Sequence, residues 1–138
     1  MNSNKAGLAI IFHSGSFDRI YHGLSLALAA SALGREVKLF FSYWSLVYFR
    51  KEVSNHLRLD KEAESYREII DKNIEKGHLL GLNELVKQVK AMGAKLYSCT
   101  SSMGLLNISR DELAQEIDKS MGITTFLTET ADYQLIFI

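Results

Sequence analysis

Two short apolar runs flanking one helix-length stretch constrain this chain more than anything else in it. Leu8–Phe12 (LAIIF) is continuous and apolar, the pattern of a strand buried on both faces. It ends in His13-Ser14-Gly15-Ser16, a turn built from N-cap residue types. Over residues 17–33, Ile20, Leu24, Ala27, Leu28 and Ser31 recur at helical spacing, and Gly34 supplies the stop. Val37–Phe41 (VKLFF) then reads as a second strand. Strand, helix and strand within about 35 residues make a βαβ unit, whose crossover forces the two strands parallel.

The alternation continues. Residues 44–50 are aromatic-rich and read as a helical turn leaving the second strand. Over residues 59–76, Leu59, Ala63, Tyr66, Ile70 and Ile74 keep the helical period, with Glu68/Lys72 and Arg67/Asp71 as opposite charges four apart on a solvated face. Residues 82–92 read as another helix, closed by Gly93. Residues 94–98 predict a third strand ending at Cys99, where Thr100, Ser101 and Ser102 are N-cap types before a short segment through Leu106. Ser109 with Glu112 is a capping box, predicted to open a helix to about Lys119. Gly122 would end it, residues 123–127 read as a fourth strand, and residues 134–138 as a fifth. The expected fold is α/β: a single three-layer domain with a mostly parallel sheet of about five strands and helices on both faces.

Charge and cysteine content exclude several classes. Sixteen basic residues balance sixteen acidic ones, so there is no basic excess of the kind a nucleic-acid binder uses. The longest apolar stretch, residues 24–33, is too short to span a bilayer, and no leader pattern is evident, so a cytoplasmic protein is expected. One cysteine cannot close an internal disulfide and fits a reducing compartment. Neither it nor His13, His22, His56 and His78 falls in a metal-ligand spacing, so no metal site is predicted.

In open α/β sheets, ligands and reactive groups gather outside the carboxyl ends of the strands. Residues 13–18, 42–44 and 99–103 meet that description and are expected to line one rim. Cys99 is the nucleophile candidate, at a strand end expected to be partly exposed. A free thiol is only about 3% ionised at neutral pH, so a nucleophilic cysteine needs help from a helix start or a neighbour such as His13. A lone cysteine also serves as a small buried hydrophobe, and that alternative stands beside the first. His13 is a candidate base or a satisfied structural histidine. Ser14 and Gly15 offer a weak anion cradle without the spacing of a nucleotide loop. Asp18 suits the first turn of a helix, Trp44 suits packing or a subunit contact, and Thr100, Ser101, Ser102 and Met103 flank the thiol.

The stretch MGAKLYSCTSSMGLLNI, from Met92 to Ile108, resembles the DsrE/DsrF-like sulfurtransferase family, in the branch with C-x-x-S-M-x(4)-I after its third strand. LAIIFHSGSFDR is similar to the family's first strand and S-G-x-x-D turn, and VKLFFSYWSLVYFRK to its second strand and F-F-x-x-W-x-L segment. GITTFL, from Gly122 to Leu127, is similar to its fourth-strand pattern. The resemblance implies a DsrE-like, flavodoxin-like fold and a cytoplasmic sulfur-trafficking protein. It implies that Cys99 carries sulfur as a persulfide or thiosulfonate and passes it to an acceptor thiol, such as a small TusA-like carrier. It also implies homo- or hetero-oligomers and no metal or organic cofactor. Residues 52–81 depart from the family, being charged where relatives are apolar, which leaves the partner open. The alternative function is a non-catalytic small-anion-binding or assembly subunit in which Cys99 is structural. A thiol peroxidase fits less well, because the cysteine lacks the Thr/Pro-x-x-Cys context.

Overall fold

The computed structural model describes residues 5–51 and 58–138; His56 and the start of the divergent middle segment, residues 52–57, lie outside the described residues. Five strands form one sheet: Leu8–Phe12 (β1), Val37–Phe41 (β2), Lys95–Cys99 (β3), Lys119–Met121 (β4) and Gln134–Phe137 (β5). Five α-helices accompany them: Phe17–Ala32 (α1), Arg67–Glu75 (α2), Leu82–Ala91 (α3), Thr100–Leu105 (α4) and Ile123–Glu129 (α5).

The strand order is β4-β3-β2-β1-β5, and every pairing is parallel. This order departs from the 2-1-3-4-5 arrangement of flavodoxins while keeping their layered architecture. Three successive crossovers step the same way, so right-handed connection puts their helices on one face. The return from β4 to the far edge puts α5 on the other. Side-chain alternation along each strand divides the core accordingly. Leu8, Ile10, Phe12, Leu39, Phe41 and Leu96 pack with Ile20, Leu24 and Ala27 of α1 and Val89 of α3. Ala9, Phe40, Tyr97 and Cys99 face the other way and pack with Met121 of β4 and Phe126 of α5. One layer is thick. The other rests on a seven-residue helix.

Close approach of α1 to the sheet is set by Gly23. A Cβ there would stand 2.3 Å from Phe12 Cε1. The Phe12 ring cannot yield freely, because it is 1% exposed and stacked 4.6 Å from Phe41.

The first three strands, the fifth strand, α1 and α3 lie where the sequence places them, but residues 109–127 do not. The capping box forms, with Glu112 accepting from the Ser109 N–H, yet it opens only a three-residue 3₁₀ turn, Arg110–Glu112. The helix predicted to Lys119 is absent, because the backbone of residues 112–114 pairs elsewhere. Lys51 N–H donates to the Glu112 carbonyl at 2.7 Å, and Ala114 N–H to the Phe49 carbonyl at 2.6 Å. The fourth strand is Lys119–Met121, and residues 123–127 are helical rather than extended. The β-branched Ile-Thr-Thr run mimics a strand. A helix is what aligns Gly122, Phe126 and Thr130 on one side, seating Phe126 at 0% exposure against Phe40. Residues 59–76 are also shorter in helix than expected. A 3₁₀ turn, Glu64–Tyr66, precedes α2, and the Asp60 side chain is used to hold Arg19 of α1. Glu68 and Lys72 pair as expected, and Arg67 also pairs with Glu64 at 2.6 Å.

Two predictions follow from this packing. Gly23→Ala should lower unfolding stability by about 1–3 kcal/mol through overpacking, read as the urea midpoint; an unchanged midpoint would contradict the close contact. The Glu112 carboxyl is held below its ordinary value of 4.5, first by the Ser109 N–H and then by Arg50. Its stabilising contribution is therefore present above the unfolded value and is lost as pH falls through the lower folded value. An NMR titration of Glu112 with a midpoint at or above 4.5 would refute this arrangement.

Candidate functional site

The parallel register brings three strand ends to one edge. Phe12 pairs with Phe41, and Phe41 with Ser98, so His13, Ser42 and Cys99, each the next residue of its segment, follow side by side across the sheet. The predicted rim exists as one connected surface. Phe12 carbonyl accepts from Ser42 N–H at 2.9 Å, Ser42 Oγ at 2.7 Å and Ser45 Oγ at 3.2 Å, which ties the end of β2 to that of β1. Tyr43 N–H donates to Ser102 Oγ at 2.9 Å, which ties the end of β2 to α4.

Cys99 is the last residue of β3 and the N-cap of α4, with φ −81° and ψ 118°. Its Sγ accepts the Ser102 N–H at 3.5 Å, the capping bond that a serine or aspartate oxygen makes elsewhere. Ser102 is the hinge between the two halves of the rim, since its backbone reaches the thiol and its hydroxyl reaches Tyr43. The expected partial exposure of Cys99 is corrected by the structure: the residue is 5% exposed. The reason is α5, which a strand at residues 123–127 would not have provided. With Phe126 and Met121 on the same side of the sheet, Cys99 joins the second core cluster.

Thr100 and Ser101 are exposed beside Cys99, whereas Ser102 is buried. Met103 points into the core. Its Sδ accepts from Ser98 Oγ at 3.3 Å and from Ser120 Oγ at 3.4 Å, anchoring α4 to β3 and β4.

His13 stands away from Cys99, because β2 lies between their strands, a separation of about 10 Å at ordinary strand spacing. The His13 ring lies instead 4.7 Å from that of Tyr43 and 5.8 Å from that of Phe137. The donors around Ser14 and Gly15 are largely used internally. Ser14 N–H reaches the Ile138 carbonyl at 3.5 Å, Ser16 N–H reaches Ser14 Oγ at 3.0 Å, and Phe17 N–H reaches the Arg58 carbonyl at 2.6 Å. Gly15 is required by Trp44, whose Cβ would lie 2.9 Å from an added Cβ. Asp18 accepts from Ser16 Oγ at 2.6 Å and from Asp60 N–H at 3.4 Å, a structural role in the first turn of α1. Trp44 and Tyr43 are 43% and 40% exposed, and Phe137 is 68% exposed, so the rim presents aromatic surface to solvent.

Three features of the rim were not legible in the sequence. Tyr43 adopts φ 48°, a left-handed conformation costly for a side chain with Cβ, and nothing in its residue type signals this. Met121 and Phe126 flank the thiol only because residues 123–127 are helical. Tyr97, beneath Phe126 and with Lys119 at 5.8 Å over its ring, has its phenol pushed up by burial first and then by Glu129 and Asp118. Among the described residues, no three His, Cys, Asp or Glu side chains gather in a metal-binding group.

Known proteins agree with this architecture. The structure of ychN protein from E. coli aligns with a TM-score of 0.68 at 10% identity, covering 97% of this chain and all of that one. The protein of unknown function MTH1491 from Methanobacterium thermoautotrophicum aligns with a TM-score of 0.64 at 11% identity, also over 97% of this chain and 100% of that chain. At such identities the likeness shows the fold. The uncharacterized protein YrkE of Bacillus subtilis (strain 168) is 26% identical over 145 aligned positions, covering 89% of this chain and 90% of that protein. A family model matches residues 4–66 and 61–136, and with that match across both halves, the chain belongs to the DsrE/DsrF/DrsH-like family.

Proposed function

We propose that this protein is an intracellular sulfur carrier or sulfurtransferase that loads sulfur on Cys99 and passes it to an acceptor protein thiol. Family membership supports a sulfur-related role, and the position of Cys99 carries the finer reading. The chain's one cysteine ends a strand at the carboxyl edge of the sheet, and its Sγ already accepts a backbone N–H from Ser102. That N–H is oriented to meet negative charge on the Cys99 thiolate.

The chemistry requires one thiol and no further cysteine. With thiosulfate as donor, the Cys99 thiolate attacks the outer sulfur, a new S–S bond forms, and sulfite leaves with the electron pair of the broken bond. The product is a Cys99 persulfide. An acceptor thiolate then attacks the outer sulfur of that persulfide, and Cys99 leaves as its thiolate. With tetrathionate, thiosulfate is the leaving group and Cys99 keeps a thiosulfonate adduct. Neither step needs a metal or an organic cofactor.

Exposed Tyr43 and Trp44 give the rim an apolar surface on which a small acceptor of TusA type can dock. Leu135 and Phe137 of edge strand β5, 49% and 68% exposed, suit a homo-oligomeric contact. No helix among the described residues is long and apolar enough to cross a membrane.

One observation favours a second reading. Cys99 is 5% exposed among apolar side chains, the environment of a structural cysteine in a small-anion-binding or assembly subunit.

Intact-mass measurement separates the two. After incubation with thiosulfate, tetrathionate or polysulfide, the wild type should gain a sulfur adduct that reductant removes, and Cys99→Ala should gain none. Alanine is the better control than serine, because a hydroxyl among Phe126 and Met121 adds its own cost. Absence of any adduct on native protein, with the thiol titratable after unfolding, would overturn the carrier reading.

A further inference from the structure

The amino ends of the strands lie opposite the Cys99 rim. A cleft of about 500 Å³ opens there, lined by Arg35, Glu36, Lys38, Lys95 and Tyr133 among others. Its size is within the range of small-molecule sites, roughly 300–1,000 Å³.

The charges in it do not balance. Lys38 and Lys95 are register partners on β2 and β3, so their Cα atoms sit about 5 Å apart. Like charges side by side on neighbouring strands destabilise a sheet unless something compensates them. Among the described residues, neither ammonium forms an ion pair with a carboxylate. Lys38 is half-buried, with its Nζ 5.4 Å from the centre of the Tyr133 ring. Arg35 spends its donors on neutral acceptors: Ala6 carbonyl at 2.7 Å, Gly7 carbonyl at 3.3 Å and Gln134 Oε1 at 2.8 Å. The one carboxylate lining the cleft, Glu36, accepts from the Tyr133 hydroxyl at 2.7 Å. Three cations therefore face one anion.

The floor is rigid. A Cβ on Gly7 would lie 2.5 Å from the Tyr133 ring, so the ring rests directly on the backbone of the segment entering β1. Its hydroxyl is fixed by Glu36, and Arg35 is fixed by the neighbouring carbonyls. A fixed Arg35 beside two lysines without carboxylate partners suits an anion more than it suits folding.

We propose that this cleft binds a small phosphate-type dianion, a phosphomonoester or diphosphate group, seated between Lys38 and Lys95 with Arg35 behind it. Two units of excess positive charge match a dianion. Ammonium groups hold phosphate oxygens as point charges with several donors each, and Arg35 contributes field rather than a bidentate fork. This site is independent of Cys99.

Calorimetric titration of the full chain with inorganic pyrophosphate at low ionic strength tests the proposal, with inorganic phosphate and chloride as further arms. The expected result is saturable binding of pyrophosphate that weakens steeply as salt is added, with chloride failing to saturate. Lys95→Gln and Lys38→Gln should each weaken binding about ten-fold, and Lys76→Gln, an exposed charge on another surface, should not. Thermal midpoints of the lysine variants should equal or exceed that of the wild type, since a like-charge contact is relieved. Lys95 is exposed, so its substitution leaves a folded protein to test. Absence of saturable pyrophosphate binding, or an equal loss in Lys76→Gln, would overturn the proposal.

Discussion

The register of β1, β2 and β3 is the constraint on which the rest of the rim depends. Phe12, Phe41, Ser98 and Ser120 form one transverse row across four parallel strands. The next residue in each of the first three is His13, Ser42 or Cys99, and all three strands end within a residue of that row. A slip of one residue in any strand would exchange its two faces. In β3 that slip would move Cys99 from the α5 face to the α1 face. The caps then hold the row in place: Ser42 and Ser45 on the Phe12 carbonyl, and Ser102 between Tyr43 and the Cys99 sulfur.

Unequal covering of the two sheet faces shapes what the site is able to do. Residues of α1 and α3, with Leu46, Phe49 and, from α4, Met103, bury one face, while the other relies on α5 and chiefly on Phe126. Cys99 is thus enclosed by a thin wall, and aromatic side chains a short distance away remain in solvent. An enclosed thiol is protected from adventitious oxidation, and an exposed aromatic rim offers a partner a place to bind. The exposed rim suits the proposed carrier, whereas the enclosure of Cys99 is what a sulfur donor or acceptor would have to open to reach the thiol.

Much of this was legible in the residues. LAIIF, VKLFF and the segment ending at Cys99 are strands because continuous apolar runs bounded by turn residues have few other uses in a parallel sheet. Their order in the chain placed Cys99 at the carboxyl edge, and the position of its motif led to the family. The carboxy-terminal third was less readable. Ser109 and Glu112 do form their reciprocal cap, but the next residues bond to Phe49 and Lys51, whose partners no local pattern announces. Ile123-Thr-Thr carries strand propensity, and the demand for Phe126 over Phe40 overrides it. That single exchange of strand for helix also hid the burial of Cys99. His13 illustrates the converse: a histidine at a strand end invites a catalytic role, and here its ring lies among aromatic rings two strands from the thiol.

The central claim is that sulfur on Cys99 is in transit. Single-turnover transfer tests it most directly: protein loaded with sulfur and freed of donor is mixed with an acceptor protein bearing one reactive cysteine, and both masses are followed in time. The account predicts that the adduct leaves Cys99 as an equal amount of persulfide appears on the acceptor. An adduct that stays on Cys99 while the acceptor remains unmodified would contradict it.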